Sequence, residues 1–299
     1  QIDIWAKEFV EFLRQKSSQE DLEVIFRHQS LGALLDSLTR ALSPTEQLAK
    51  TALITSACSA ATQALALGAM WVRQGKVKRC LVGGVEVLSP LTVEGFKSLQ
   101  LLSTTAAHPF DEARKGINLS EGAGFLILEA EETKQSPSLA QIAGFGLTTD
   151  AFHMTGPHPE GEGCFNAMAQ AVSKAALKPS DISWVHAHGT GSDLNDLSEG
   201  RAIAKYFGTS PQLSSPQVSS TKFSHGHALG ASGALETILC IESLRRQTIL
   251  KSGGLEKQDS RIPIEIVKES RSFPLKHILK NTLGFGGINA ALVLSRSEH

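Results

Sequence analysis

The chain has 299 residues, 41% of them hydrophobic, enough to bury a substantial core as one large α/β domain or as two smaller halves. Charged residues make up 20%, the formal net charge is -1 and the pI is about 6.9, so no overall basic field exists to neutralise a phosphate backbone and nucleic acid is not expected as a partner. No apolar run reaches the ~18 residues of a membrane span and no charged-then-apolar leader opens the chain, which makes a cytoplasmic protein the expectation.

In chain order, the amphipathic stretches 5–16 and 31–42 predict two helices with charged outer faces. In TALITSACSAATQALALGAMWVRQG (51–75) a β-compatible apolar run stops at small residues and an Ala-rich pattern begins after Ser59, predicting a strand, a tight turn and a buried helix. RCLVGGVEVLS (79–89) and GFLILEAEE (124–132) predict two further strands. The polar link 134–138 then divides the chain into halves 1–133 and 134–299. The second half repeats the rhythm: a strand near 141–147, a helix over 164–176, a strand in ISWVHAHG (182–189) and a helix over 196–207. A Ser/Pro-rich loop at 210–216, a long helix ending near Arg246, and strands at 264–267 and 289–295 follow. Alternating strands and helices predict sheets covered by helices on both faces.

Four cysteines, Cys58, Cys80, Cys164 and Cys240, are too widely spaced for a zinc site or a disulfide scaffold and are expected as free thiols. Most single cysteines are small buried apolar residues. Cys58 differs in context. It sits at the strand-to-helix turn of TSACSA among Ser56, Ala57, Ser59 and Ala60, which leave room for an acyl group, and the following helix N-terminus is expected to favour its thiolate. HAHGTGS (186–192) and STKFSHGHALGASG (220–233) each place a histidine, His188 and His227, in a glycine-rich turn where a ligand or backbone must come close. A histidine at a strand end is by itself more often structural. With Cys58, the two histidines form a candidate thiolate acyl-transfer site that calls for no metal.

Five segments, TSACSA, PFDEARKGINLSEGAGFLILE (109–129), HAHGTGSDLND (186–196), TKFSHGHALGASGALE (221–236) and NTLGFGGINAALVL (281–294), resemble in order the signatures of the β-ketoacyl-acyl-carrier-protein synthases, over roughly residues 50–297. The Cys-His-His pattern resembles the elongating synthases and polyketide ketosynthases. The resemblance implies a thiolase-like α/β/α/β/α sandwich of two related halves, and a decarboxylative Claisen condensation of an enzyme-bound acyl group with a malonyl unit in fatty acid, polyketide or polyene synthesis. It implies that Cys58 carries the acyl chain, that His188 and His227 stabilise the enolate, and that Lys222 and Glu236 order the polar network behind them. Thr190 and Ser192 match the hydroxyls that hold the phosphopantetheine arm. The amides of Cys58 and Phe285 match the oxyanion hole, and Phe285 a gating side chain freed by Gly284, Gly286 and Gly287.

No cofactor is implied, since substrates arrive on the phosphopantetheine of acyl carrier protein. Carrier docking calls for a basic patch, for which Arg114 and Lys115 are the candidates. A homodimer, or a heterodimer with a related synthase subunit, is implied as well. The alternative is a non-catalytic partner resembling a chain-length factor, which characteristically lacks the cysteine, while a degradative thiolase would need a late cysteine that is absent after Cys240. Family members carry two more strands before the cysteine, where only 57 residues stand here, so the N-terminal half is expected to be shortened. Asp193, Phe223, Ser232 and Ile288 depart from the family's frequent choices but remove no catalytic group.

Overall fold

The computed structural model describes residues 32–42, 50–134, 136–208 and 215–297. Gln1–Leu53 forms one compact unit, in which helix α1 (Ala33–Leu42) is described, and Ile54–His299 forms the other. The expected helix at 5–16 lies outside the described residues. No described helix is long and apolar enough to cross a membrane.

The larger unit is built on a five-stranded sheet in the order β3-β9-β8-β4-β5, comprising β3 (Gln141–Thr149), β4 (Trp184–His186), β5 (Gln217–Ser219), β8 (His277–Gly284) and β9 (Ile288–Ser295). Strands β4, β5 and β8 run parallel, while β9 is antiparallel to both β8 and β3. Residues 278–283 and 289–295 are buried without interruption, as expected for central strands covered on both faces. The two faces are distinguished by single residues of β8. Asn281 reaches Glu199 of α5 (Asp193–Phe207) and Met168 of α4 (Glu162–Lys174). Its neighbour Lys280 reaches Thr62 of α2 (Ala60–Arg73) and Glu236 of α7 (Ser232–Arg246) on the opposite face.

Helices α2 and α7 form the middle layer. On their far side lies the antiparallel pair β1 (Arg79–Glu86) and β2 (Gly122–Glu129). Small residues permit this packing: a Cβ on Gly68 of α2 would come within 2.5 Å of Val82, and one on Gly122 within 2.7 Å of Leu235. Leu65 and Ala66 join Val82 and Leu292 in one apolar cluster, so α2 connects the two sheets. The architecture is the expected thiolase-like one with a shortened N-terminal half: β1–β2 is its whole described sheet, and Leu81, Phe125 and Ile127 on the outer face stay exposed.

Helix α3 (Pro90–Ser98), the four-residue α6 (Lys222–His225) and the short pair β6 (Thr248–Ile249) and β7 (Arg271–Ser272) complete the elements. Two expected strands do not form. Residues 51–55 have no strand beside them among the described residues, and Ser56 makes only an isolated bridge to Cys58. Residues 264–267 contribute one bridge, Ile266 to Val218, because the chain touches the edge strand β5 there and turns away. Strand β8 was not anticipated: its sequence HILKNTLG carries Lys280, Asn281 and Thr282 in the middle, which breaks the apolar run expected of a central strand.

Strand β3 lies so close on α4 that a Cβ on Gly146 would stand 1.9 Å from the carbonyl oxygen of Ala167. Gly146→Ala must push backbone against backbone and is expected to destabilise the protein by about 1–3 kcal/mol; a denaturant melt unchanged from wild type would show that β3 and α4 are not in this contact.

Candidate active site

Cys58 lies in a turn tight enough to force Ala57 to φ +48°, and the turn is closed by the Ser59 amide donating to the Ser56 carbonyl at 3.2 Å. Helix α2 starts two residues later, so the sulfur sits at a helix N-terminus as the sequence predicts. The pull toward the thiolate expected at a helix N-terminus is opposed by burial. Only 5% of Cys58 is exposed, and burial pushes its thiol up to about 11, against the opposing pull of Lys222 and of the Phe285 and Cys58 amides. The loss of hydration outweighs the fractional charge of one helix end.

His188 follows β4. Its amide and that of Gly189 donate to the two carboxylate oxygens of Glu199 at 2.7 and 2.8 Å, which fixes the loop from beneath. Burial raises the Glu199 carboxyl to about 7, with the two amides acting the other way. His227 is held through its backbone, its amide donating to the Asn118 carbonyl at 2.7 Å and its carbonyl accepting from the Ser120 amide at 3.1 Å. Its Nδ1 pairs with Ser232 Oγ at 3.0 Å, and its Nε2 stands 3.1 Å from Cys58 Sγ. The rings of His188 and His227 meet edge to face, with centroids 5.1 Å apart.

Burial first, and then the Lys222 charge, drives both imidazoles well below the usual histidine range, so both are neutral. One ligand-type atom each from Cys58, His188 and His227 lies within 4.8 Å of the others. That set suits a resident divalent ion poorly, because a buried lysine ammonium stands 3.4 Å from His188 Nδ1.

Behind the histidines, Lys222 Nζ donates to the His188 carbonyl at 2.7 Å, lies 3.4 Å from its Nδ1, and pairs with Glu236. Thr190 Oγ1 and Ser192 Oγ are 3.0 Å apart, so the two hydroxyls form one polar pair. Phe285 is half-buried and stacks on Phe96 with centroids 5.4 Å apart. Gly286 and Gly287 have φ +81° and +70°, as the required backbone freedom predicts. Gly284 is glycine for another reason: a Cβ there would come within 3.3–3.4 Å of Ser59 Oγ and the Ser56 carbonyl. Lys115 is exposed. Arg114 is not available for docking, because its guanidinium is buried against Asp193, Asp196 and Asp259.

The profile of the β-ketoacyl synthase N-terminal domain matches residues 49–134, and that of the C-terminal domain matches residues 139–256. The chain belongs to the β-ketoacyl synthase family. It is similar to 3-oxoacyl-[acyl-carrier-protein] synthase 2 of Staphylococcus aureus, with 35% identity over 253 residues, 81% of this chain and 61% of that protein. A ketosynthase from Xenorhabdus doucetiae, solved in complex with its chain length factor, is 33% identical with a TM-score of 0.81, covering 90% of this chain and 65% of that one. A β-ketoacyl synthase from Burkholderia phymatum is 34% identical with a TM-score of 0.77, covering 82% and 61%. The chain thus spans about three-fifths of the length of the curated relatives it matches.

Several residues of the site were not anticipated from the sequence. Asp196 and Glu199 sit one turn apart on α5, and their carboxylates hold the 188–191 loop through the amides of His188, Gly189 and Thr190. Acidic residues three apart near a helix start carry a readable signal, but it is the same one a solvated helix gives. Asn118 and Lys280 had no local signal at all.

Because its thiol is held near 11, Cys58 should react slowly with iodoacetamide at pH 8, about two orders of magnitude below a thiol of ordinary acidity. The rate should still be climbing above pH 9. Mass-spectrometric labelling as a function of pH tests this, and a plateau by pH 8 would mean that the thiolate is already present in the resting site.

Proposed function

We propose that this chain carries the condensing centre of a β-ketoacyl-acyl-carrier-protein synthase, with Cys58 as nucleophile and His188 and His227 as the donors to the enolate. The observation that supports it best is the 3.1 Å approach of His227 Nε2 to Cys58 Sγ beside a second neutral histidine, all three residues buried.

In the first half-reaction the sulfur of Cys58 attacks the thioester carbonyl of an acyl carrier protein. Its proton passes by way of His227 to the departing carrier thiol, and an acyl-Cys58 thioester remains. The amides of Phe285 and Cys58 face the sulfur and are suited to hold the developing oxyanion. In the second, malonyl carrier protein loses carbon dioxide; the electrons of the broken C–C bond become an enolate whose oxygen accepts hydrogen bonds from the two neutral imidazoles. The carbanion attacks the Cys58 thioester, and the C–S bond breaks. The leaving thiolate takes up a proton, one per cycle, and the high thiol pKa ensures that it does so.

Thr190 and Ser192 would hold the pantetheine arm, Gly284 and Gly286 would shape the turn around the Phe285 gate, and Lys222 and Glu236 would orient His188. We place the division of labour between halves at 134, with the nucleophile in 1–133 and the histidines in 134–299, a reading supported by the separate N- and C-terminal domain matches. The substrates travel on acyl carrier protein, so no small cofactor is called for. The working particle is a cytoplasmic dimer, homomeric or with a related synthase subunit. A non-catalytic chain-length-factor role is disfavoured by the retention of Cys58, His188 and His227 together.

Cys58→Gln is expected to abolish condensation by at least about a thousand-fold while carbon dioxide release from malonyl carrier protein continues. His227→Ala should lose both. Labelled carbon dioxide and product assays decide between them, and full release by His227→Ala alongside its loss in Cys58→Gln would refute the assignment of roles.

A further inference from the structure

Lys280 has no place in the scheme above, yet it is fully buried in the middle of the central strand β8, directly beside His186 in the parallel register of β4 and β8. Its ammonium group donates to Thr62 Oγ1 at 3.0 Å and to Thr282 Oγ1, and forms an ion pair with Glu236 Oε2 at 3.1 Å. Thr62 and Thr282 are themselves joined at 2.8 Å, so the cradle is continuous from α2 to β8. Glu236 is therefore shared. Oε1 takes Lys222 and Oε2 takes Lys280.

The charge count gives the arrangement its meaning. A lone Lys222–Glu236 pair would be neutral, whereas two ammonium groups on one carboxylate leave a net charge of +1 inside the protein; burial lowers Lys280 from the usual lysine range, and the Glu236 carboxylate opposes that. The other titratable groups facing Lys280 do not cancel it. His186 on β4 is pushed down to about 3 by burial and is neutral, and Cys240 on α7 is a thiol driven up by burial. His225 stands behind Thr221, its Nε2 2.9 Å from that hydroxyl, and burial lowers it. Glu199 lies across the sheet on the amides of His188 and Gly189, and with its carboxyl raised to about 7 by burial it carries little charge on the acid side. Glu86 accepts from the Gly230 amide on the β1 side, with its carboxyl also raised by burial.

We infer that Lys280 is a positioning residue for the condensation: by occupying the second oxygen of Glu236 it leaves one uncompensated positive charge, presented by Lys222 at His188, which adds to the effect of burial in disfavouring a proton on His188 and His227 and favours negative charge on the enolate. This rests on the condensing role proposed for the site. Lys280 touches neither the sulfur nor any reacting atom and acts only through Glu236 and Lys222.

The test compares wild type with Lys280→Met, which keeps the length and apolar stem, and Lys280→Gln, which keeps a donor to Glu236 without the charge. Both remove a buried cation whose partner retains Lys222, so Glu236 is not left unpaired. Carbon dioxide release from malonyl carrier protein is measured against pH, and the imidazole resonances of 13C-histidine-labelled protein are titrated by NMR.

Both variants are expected to lower kcat about ten-fold with KM unchanged, and to move the acid limb of the profile and the His188 and His227 titrations upward by about one pH unit, because removing a nearby cation makes an imidazole easier to protonate. A thermal melt identifies the folded variants, and either one suffices. Wild-type acid limb and histidine titrations in a folded variant, even one with reduced kcat, would overturn the proposal and leave Lys280 a packing residue. A wild-type protein that neither decarboxylates nor condenses would instead refute the condensing role, while the NMR titration would still report on Lys280.

Discussion

The site depends on one carboxylate held away from water. Glu236 is fully buried on α7, where burial alone would favour its neutral form, but the ammonium groups of Lys222 and Lys280 outweigh that and hold its carboxyl well below the usual range. A buried carboxylate without partners would cost several kcal/mol; with two lysines and their hydroxyl cradle it becomes a fixed junction between α7, β8 and the loop that opens α6. Lys222 is oriented by that junction, His188 by Lys222, and the approach of the two imidazoles to Cys58 follows.

Dryness also explains why a cysteine at a helix N-terminus can have a weakly acidic thiol. Cys58 is buried, and an anionic sulfur there loses hydration that a helix end and two amides only partly replace. A site of this kind is poorly prepared for attack by a preformed thiolate. It is better suited to transferring the proton as the bond forms, with an uncharged imidazole at 3.1 Å. The same exclusion of water, together with the Lys222 charge, keeps the histidines uncharged.

Much of this was legible in the sequence because it rests on local chemistry. The turn at TSACSA, the glycine-rich loops around His188 and His227, and the alternation of strands and helices can each be read from adjacent residues. The Lys222–Glu236 contact became readable only through the order of the family's motifs. What could not be read depends on partners far apart in the chain. Lys280 reads as a break in a strand, and only the parallel register with β4 and the arrival of Thr62 from 218 residues away show it to be enclosed. The apolar run at 51–55 reads as a strand, yet a strand exists only where another accepts its hydrogen bonds, and that depends on neighbours rather than on the run itself. Arg114 reads as a surface cation because one sequence does not reveal that three carboxylates converge on it.

That convergence has a further consequence. Arg114 donates to Asp111 and Asp259 through one nitrogen and to Asp193 through the other, joining the 108–118 loop, which carries the Asn118 that holds His227, to segments far along the chain. In many proteins such long loops are closed by a cystine. Here the closure is ionic, with Arg114 and Asp259 buried and Asp193 reaching the surface, while all four cysteines remain thiols. With no disulfide among the described residues, the Cys58 sulfur has no internal cystine with which to exchange.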